Sequence, residues 1–279
     1  MIPIHDDNPT HITPYVTWTI IAICVAVFLW QVSLGAQGQY MVLSLGLIPS
    51  NLLGTRVLPP EFALIPAWAS VVTSMFMHGG WMHLIGNMLY LWVFGNNIED
   101  AMGHRRFLVF YLLSGLGAAG GQILAEPSSS IPMIGASGAI SGVLGAYLLL
   151  YPKAKVTLLF GFFFPIKISA YWVLGGWIGM QFFNATAGGG GGGVAWWAHI
   201  GGFITGMALI PVFRYRHVPM FGHGKETHIR PARVQAAAAN PFQAVKRRTR
   251  GTSAVPETNN PWVKRNRPRG IQGPWGPRK

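Results

Sequence analysis

Ile134-Gly135-Ala136-Ser137-Gly138-Ala139-Ile140-Ser141-Gly142-Val143-Leu144-Gly145, the opening of an uncharged apolar run that continues to Tyr151, decides how this chain is read. The run suits a helix inside a bilayer, yet it carries a serine near one end. Polar side chains within a membrane are costly, so each is a functional candidate. A second apolar run, Val194 to Val212, holds His199 near the corresponding end, and a serine with an imidazole is a potential nucleophile and base.

Working outward, the whole chain has the same character. Of its 279 residues 51% are hydrophobic and 10% are charged, and the mean hydropathy is positive. This departs from soluble domains and predicts an all-α polytopic membrane protein. Six apolar segments stand out: Val16 to Leu34, Trp81 to Asn96, Phe107 to Ala125, Ile134 to Tyr151, Ile168 to Phe183 and Val194 to Val212. Several are shorter than the ~20 residues a bilayer core requires, as expected if some ends stop below the interface. Val156 to Phe164 is also apolar but runs into Pro165, and reads as an interfacial loop or an early turn of the fifth helix. No segment repeats another, which weighs against the inverted repeats of many transporters. The single Cys24 has no partner for an internal disulfide and no nearby base, and reads as inert filling.

The formal net charge is +13, but 15 of the 21 Lys and Arg lie after Val212. Residues 213–279 are rich in Pro, Asn, Gly and basic residues, with no sustained apolar period, and read as a disordered basic cytoplasmic tail. Its clusters Lys246-Arg247-Arg248 and Lys264-Arg265-Asn266-Arg267 suit anionic lipid headgroups or RNA. A solvated topology signal is the simpler reading, and no nucleic-acid partner is expected. His217, His223 and His228 are irregularly spaced and lack cysteine neighbours, so neither a metal nor another cofactor is expected.

With six spans, 20 Lys and Arg fall on one side and only Arg56 on the other, which makes the tail side cytoplasmic. The expected organisation is a short cytoplasmic segment over residues 1–15, a six-helix core over 16–212 and the tail. Residues 1–17 contain no Lys or Arg, so neither a cleavable signal nor a transit sequence is read there, and a bacterial cytoplasmic membrane is expected.

This topology brings Ser137 and His199 to one outer layer, each about a turn below its helix start, roughly 5 to 10 Å in at ~1.5 Å per residue. His83 falls in the first turn of the second segment, with Asn87 four residues on and on the same face. Gly138, Gly142 and Gly145 recur at i, i+4, i+7, while His199, Gly202 and Gly206 recur at i, i+3, i+7. Small-residue faces let helix backbones close on one another in lipid, as a short Ser-to-His bond requires. Alone, such a stripe is more often mere packing, and a lone membrane serine usually bonds back to its own helix. Here the close-packing faces carry the serine and the histidine themselves.

These residues resemble the rhomboid intramembrane serine proteases. The likeness runs through Phe76-Met77-His78-Gly79-Gly80-Trp81-Met82-His83-Leu84-Ile85-Gly86-Asn87, then Gly135-Ala136-Ser137-Gly138, then Ala198-His199-Ile200-Gly201-Gly202, and covers roughly residues 10 to 212. It implies a six-helix core, Ser137 as nucleophile and His199 as general base. It further implies an oxyanion site from His83, Asn87 and the Ser137 backbone N–H, with His78 supporting a first loop that dips partly into the membrane. By the same resemblance the Gly-rich segment before the last helix is a movable cap, and the substrates are single-pass membrane proteins cut near the outer face, often after a small residue.

The chemistry agrees with that resemblance. Serine needs a neutral imidazole to remove its proton, and the tetrahedral intermediate needs fixed donors. No Asp or Glu occurs between Asp100 and Glu126, or again until Glu226, so a dyad without an orienting carboxylate is expected. Neither a paired intramembrane Asp nor His-Glu-x-x-His is present for aspartyl or zinc chemistry. Position 139 is Ala, so the soluble Gly-x-Ser-x-Gly elbow is incomplete. Trp68 is followed by Ala69 where many relatives carry Trp-Arg, which points to a different anchoring of the first loop. His5, His11 and His104 are expected on the cytoplasmic side. Asn184 to Val194, with six consecutive Gly from Gly188 to Gly193, is read as either a gate or a permissive linker. The competing function is a rhomboid-like protein that binds membrane helices without cutting them. A small-solute transporter is a weaker rival. Membrane lipid is the other expected contact, and the sequence is silent on oligomeric state.

Overall fold

A computed structural model describes residues 2–160, 164–187 and 193–222. Gly188 to Gly192 of the gate reading, and the tail from residue 223 onward with His223, His228 and both basic clusters, lie outside the described residues.

Helices dominate. They are α1 (Tyr15–Ser33), α2 (Gln37–Leu45), the short α3 (Pro49–Leu52) and α4 (Ser70–Thr73), α5 (Trp81–Met102), α6 (His104–Ala125), α7 (Ser137–Leu150), α8 (Ala170–Thr186) and α9 (Trp196–Phe213). Among the described residues α1, α6 and α9 are long and apolar enough to cross a membrane. α5 matches α6 in length but ends in Asn96, Asn97, Glu99 and Asp100. α7 has only 14 residues, and every one from Gly138 to Tyr147 is buried. As the centre of the bundle it is enclosed by protein, so its length need not match a lipid layer.

Glycine sets the closeness of that centre. A Cβ on Gly202 of α9 would overlap the Gly138 carbonyl oxygen of α7, and one on Gly206 would overlap that of Gly142. A Cβ on Gly145 would meet the Phe203 carbonyl in the same way. The two helices therefore pack backbone against backbone along the full faces read from the sequence. α5 passes to α6 through Gly103 alone, at φ +80°, where any side chain would strike the Tyr215 hydroxyl.

The start of α1 has no cap of its own, since Pro14 stands at the N-cap position. Glu99, fully buried near the end of α5, supplies it: its two carboxylate oxygens accept from the Val16 N–H at 2.9 Å and the Thr17 N–H at 2.8 Å. The Thr17 hydroxyl donates to it at 2.7 Å and His104 Nδ1 lies 2.5 Å away. A carboxylate at a helix N-terminus satisfies otherwise orphaned donors and opposes the positive end of the dipole.

Two expectations are corrected. The all-α class gives way to helices plus a three-stranded antiparallel sheet, in the order β1 (Ile2–Asp6), β2 (Lys155–Phe160), β3 (Phe164–Ser169). Val156 to Phe160 therefore belongs to a strand and Phe164 opens the next, so neither is part of a loop or of a turn of the following helix, which starts only at Ala170. Val156 and Leu158 are buried, and pair with Ile168 and Ile166. The third strand comes from the far N-terminus, a partner that local periodicity cannot reveal. Asp6 fastens it, its Oδ2 accepting from Asn97 Nδ2 at 2.8 Å and from the Tyr147 hydroxyl at 2.5 Å. The second correction concerns α7, which begins at Ser137 rather than Ile134 because Gly135 sits at φ +120°, outside helical space. Ser137 is thus at the mouth of its helix, not a turn below it.

Candidate active site

Ser137 opens α7 and His199 lies one turn inside α9, and the glycine contact between these helices brings the side chains together. Ser137 Oγ is 2.9 Å from His199 Nε2. Ser141, one turn further along, behaves differently, its hydroxyl donating back to the Ser137 carbonyl at 2.6 Å. Of the two, the serine at the helix mouth is the one turned toward an imidazole. As the first helical residue, Ser137 also presents one of the backbone N–H groups that a helix start leaves without an intrahelical acceptor.

The other ring nitrogen of His199 meets a residue that the sequence reading missed. His199 Nδ1 is 2.8 Å from Gln181 Oε1 on α8, and Gln181 is 3% exposed. Its own NH2 donates to the Trp177 carbonyl at 3.2 Å. The Trp177 ring lies beside the imidazole with centroids 5.7 Å apart, and the Trp196 ring stands edge-on at 6.3 Å. The partner of His199 is therefore an amide. The histidine is not left to orient itself.

His83 and Asn87 of α5 line the same cavity as Ser137. The Gly79 N–H donates to His83 Nδ1 at 3.2 Å, which leaves the ring proton on Nε2. That Nε2–H points at Gly135: a Cβ there would lie 2.7 Å from His83 Nε2 and 3.5 Å from Asn87 Nδ2. Asn87 Nδ2 is buried and has no hydrogen-bond partner among the described residues. Two donors thus converge on the space that Gly135 leaves by lacking a side chain. Native proteins seldom bury an amide donor without an acceptor, so this one asks for a ligand atom.

His78 stands behind His83, with ring centroids 5.2 Å apart, and its Nδ1 lies 3.2 Å from the Phe76 carbonyl. Gln31 of α1, also missed in the sequence, holds it from both sides: the His78 N–H donates to Gln31 Oε1 at 3.0 Å and Gln31 Nε2 donates to the His78 carbonyl at 3.2 Å. The loop is thereby tied to α1, and Trp68, largely exposed, takes no part. Gly138, Gly202 and Gly206 lie in the α7–α9 contact as described above. His11 and His104 lie with Asp100 and Glu99 at the far end of α5, about 16 residues or ~24 Å of helix from His83.

A cavity of about 1000 Å³ opens over Ser137, His199, His83, Asn87 and Gly135. It is of the size of an ordinary ligand site, apolar over much of its lining, with a few convergent polar groups.

These features define a helical membrane protein with a serine–imidazole pair at the mouth of a central helix. The chain belongs to the rhomboid family: residues 66–216 match the Rhomboid domain model. It is 32% identical over 163 residues to the mitochondrial Rhomboid protein 1 of Saccharomyces cerevisiae, covering 56% of this chain and 41% of that protein. It is 28% identical over 200 residues to the rhomboid protease GlpG of Klebsiella pneumoniae, covering 69% and 61%. It is 32% identical over 136 residues to the rhomboid protease GluP of Bacillus subtilis, covering 48% and 24%. The match spans less than two thirds of the length of each of these relatives.

Proposed function

We propose that this chain is an intramembrane serine endopeptidase that cleaves single-pass membrane proteins near the outer face, with Ser137 as nucleophile and His199 as general base. The observation that carries the reading is the 2.9 Å approach of Ser137 Oγ to His199 Nε2 from two separate helices. Membership of a family in which relatives are named proteases supports it. In this reading six helices, α1, α5, α6, α7, α8 and α9, span the bilayer, with both ends of the core cytoplasmic. The distribution of Lys and Arg favours that orientation.

In the reaction, the Ser137 oxygen attacks the carbonyl carbon of the scissile peptide while its proton passes to His199 Nε2. The carbonyl oxygen becomes an anion and takes hydrogen bonds from His83 Nε2–H, Asn87 Nδ2–H and the Ser137 backbone N–H. Donors already fixed and shielded from bulk water stabilise that charge without reorganising. The intermediate collapses, the C–N bond breaks, and His199 returns the proton to the departing amine. Water, activated by the same imidazole, then releases the acyl group from Ser137. A substrate helix satisfies its own backbone, so cleavage favours segments loosened by Gly, Pro or polar residues.

The test is reconstitution of the full chain in liposomes with a panel of single-pass reporters carrying loosened outer segments. The parent is expected to cut at least one reporter, and Ser137→Ala none. Cutting that persists in Ser137→Ala refutes the assignment, and an inert but folded parent favours a helix-binding role without cleavage.

A further inference from the structure

We infer that Gln181 is a positioning residue that fixes the tautomer of His199. The inference rests on the Ser137–His199 reading and follows from three linked hydrogen bonds. The Trp177 carbonyl can only accept, so the group that Gln181 turns toward it, 3.2 Å away, is the amide NH2. The Gln181 oxygen then faces His199 Nδ1 at 2.8 Å, and because an amide oxygen can only accept, Nδ1 must carry the ring proton. Nε2 is left bare, and accepts from the Ser137 hydroxyl at 2.9 Å. The direction of the whole chain is therefore set by one backbone carbonyl of α8.

The opposite direction would be unproductive. With the proton on Nε2, the imidazole would donate to Ser137 Oγ and have no lone pair to take the serine proton. The ring nitrogen opposite the reacting one decides which form is present, through the hydrogen bond it makes. An amide does this without placing a carboxylate in an apolar bundle, where its own desolvation is expensive.

The local structure suits the role. Along α8 only Ala170, Leu174 and Gln181 are buried, so Gln181 is the inward-turned residue of the half that reaches the site. Trp177 and Gln181 are four residues apart on one face. One turn of α8 therefore supplies both the ring that flanks the imidazole and the acceptor that orients it.

The experiment compares the full-length parent with Gln181→Met, which keeps side-chain length but has no acceptor oxygen, and with Gln181→Glu, which keeps one. Two readouts are taken in detergent: the saturation kinetics of labelling by a fluorophosphonate, and the tautomer of His199 by nitrogen NMR of 15N-histidine protein, assigned by loss of the signal in His199→Ala. The parent is expected to carry its proton on Nδ1. In Gln181→Met the proton is expected to move to Nε2 and the maximal labelling rate to fall about 10- to 100-fold, with half-saturation little changed. Gln181→Glu is expected to keep the Nδ1 proton and most of the rate. A parent protonated on Nε2 overturns the inference whatever the variants do, including a variant that fails to fold. Gln181→Met labelling at the parental rate, or losing rate with Nδ1 still protonated, also overturns it. A parent that carries the Nδ1 proton yet never labels leaves the tautomer assignment intact and counts against the protease reading instead.

Discussion

Gly202 faces Gly138 across the α7–α9 contact so closely that a methyl group on Gly202 would overlap the Gly138 carbonyl oxygen. That oxygen belongs to the backbone, and no rotamer change relieves the clash. The contact lies three residues from His199 and one from Ser137, so it sets their separation directly. Gly202→Ala is expected to lower labelling and cleavage about 100-fold, and Gly202→Val to abolish both, because a displacement near 1 Å removes a reactive alignment. Activity assays on the membrane-inserted variants check this. A fully active Gly202→Val contradicts the packing argument.

At Gly135 the missing side chain leaves the space toward which His83 Nε2 and Asn87 Nδ2 point, and φ is +120°. Gly135→Ala is expected to destroy turnover by filling that space and straining the backbone. Gly120→Ala is the control, since nothing lies within 4 Å of a Cβ there, and should remain close to parental. Equal activity in both variants would remove the oxyanion assignment from this place.

Asn87 offers a test that separates catalysis from stability. Its Nδ2 is buried without a partner among the described residues, so removing it costs the resting fold little, while on the proposed oxyanion assignment the transition state loses a donor. Asn87→Ala is expected to reduce kcat about 100-fold with KM little altered and with thermal stability equal to or above that of the parent. A variant that loses stability in step with activity would point to a structural role.

At the other end of the bundle, burial pushes the Asp6 carboxyl up to about 6, against the opposing hydrogen bond from Tyr147. Its pKa in the fold lies above the unfolded value, so the folded state binds the extra proton between about pH 4 and 6. The stabilisation is present below that window and is lost as pH rises through 6. The midpoint of unfolding in detergent should therefore rise as pH is lowered from 7.5 to 5, by more in the parent than in Asp6→Asn. Identical pH profiles of the two proteins would refute this.

The sequence exposed the candidate site where short motifs carried it. Ser137, His199, His83, Asn87 and the facing glycines follow from helical spacing within segments, and the structure brings them together. Gln181 was not legible, because a glutamine 18 residues before His199 belongs to no local pattern and acquires meaning only when α8 packs beside α9. Gln31 was hidden for the same reason, gripping a loop 47 residues away. The sheet escaped because Val156 to Phe164 is apolar on a length that suits either a strand or a helix turn, and because β1 is supplied by residues about 150 positions earlier. Glu99 reads as one more charge at a helix end, although it closes the start of α1.

The proposed protease activity depends on Ser137 being made nucleophilic by His199. The most direct measurement is reaction of the purified full chain with a fluorophosphonate, followed by peptide mass spectrometry to locate the adduct, in the parent, Ser137→Ala and His199→Ala. One adduct on Ser137 is expected in the parent and none in either variant. An adduct on Ser137 that forms at the parental rate in His199→Ala, or an adduct on another residue, would contradict it.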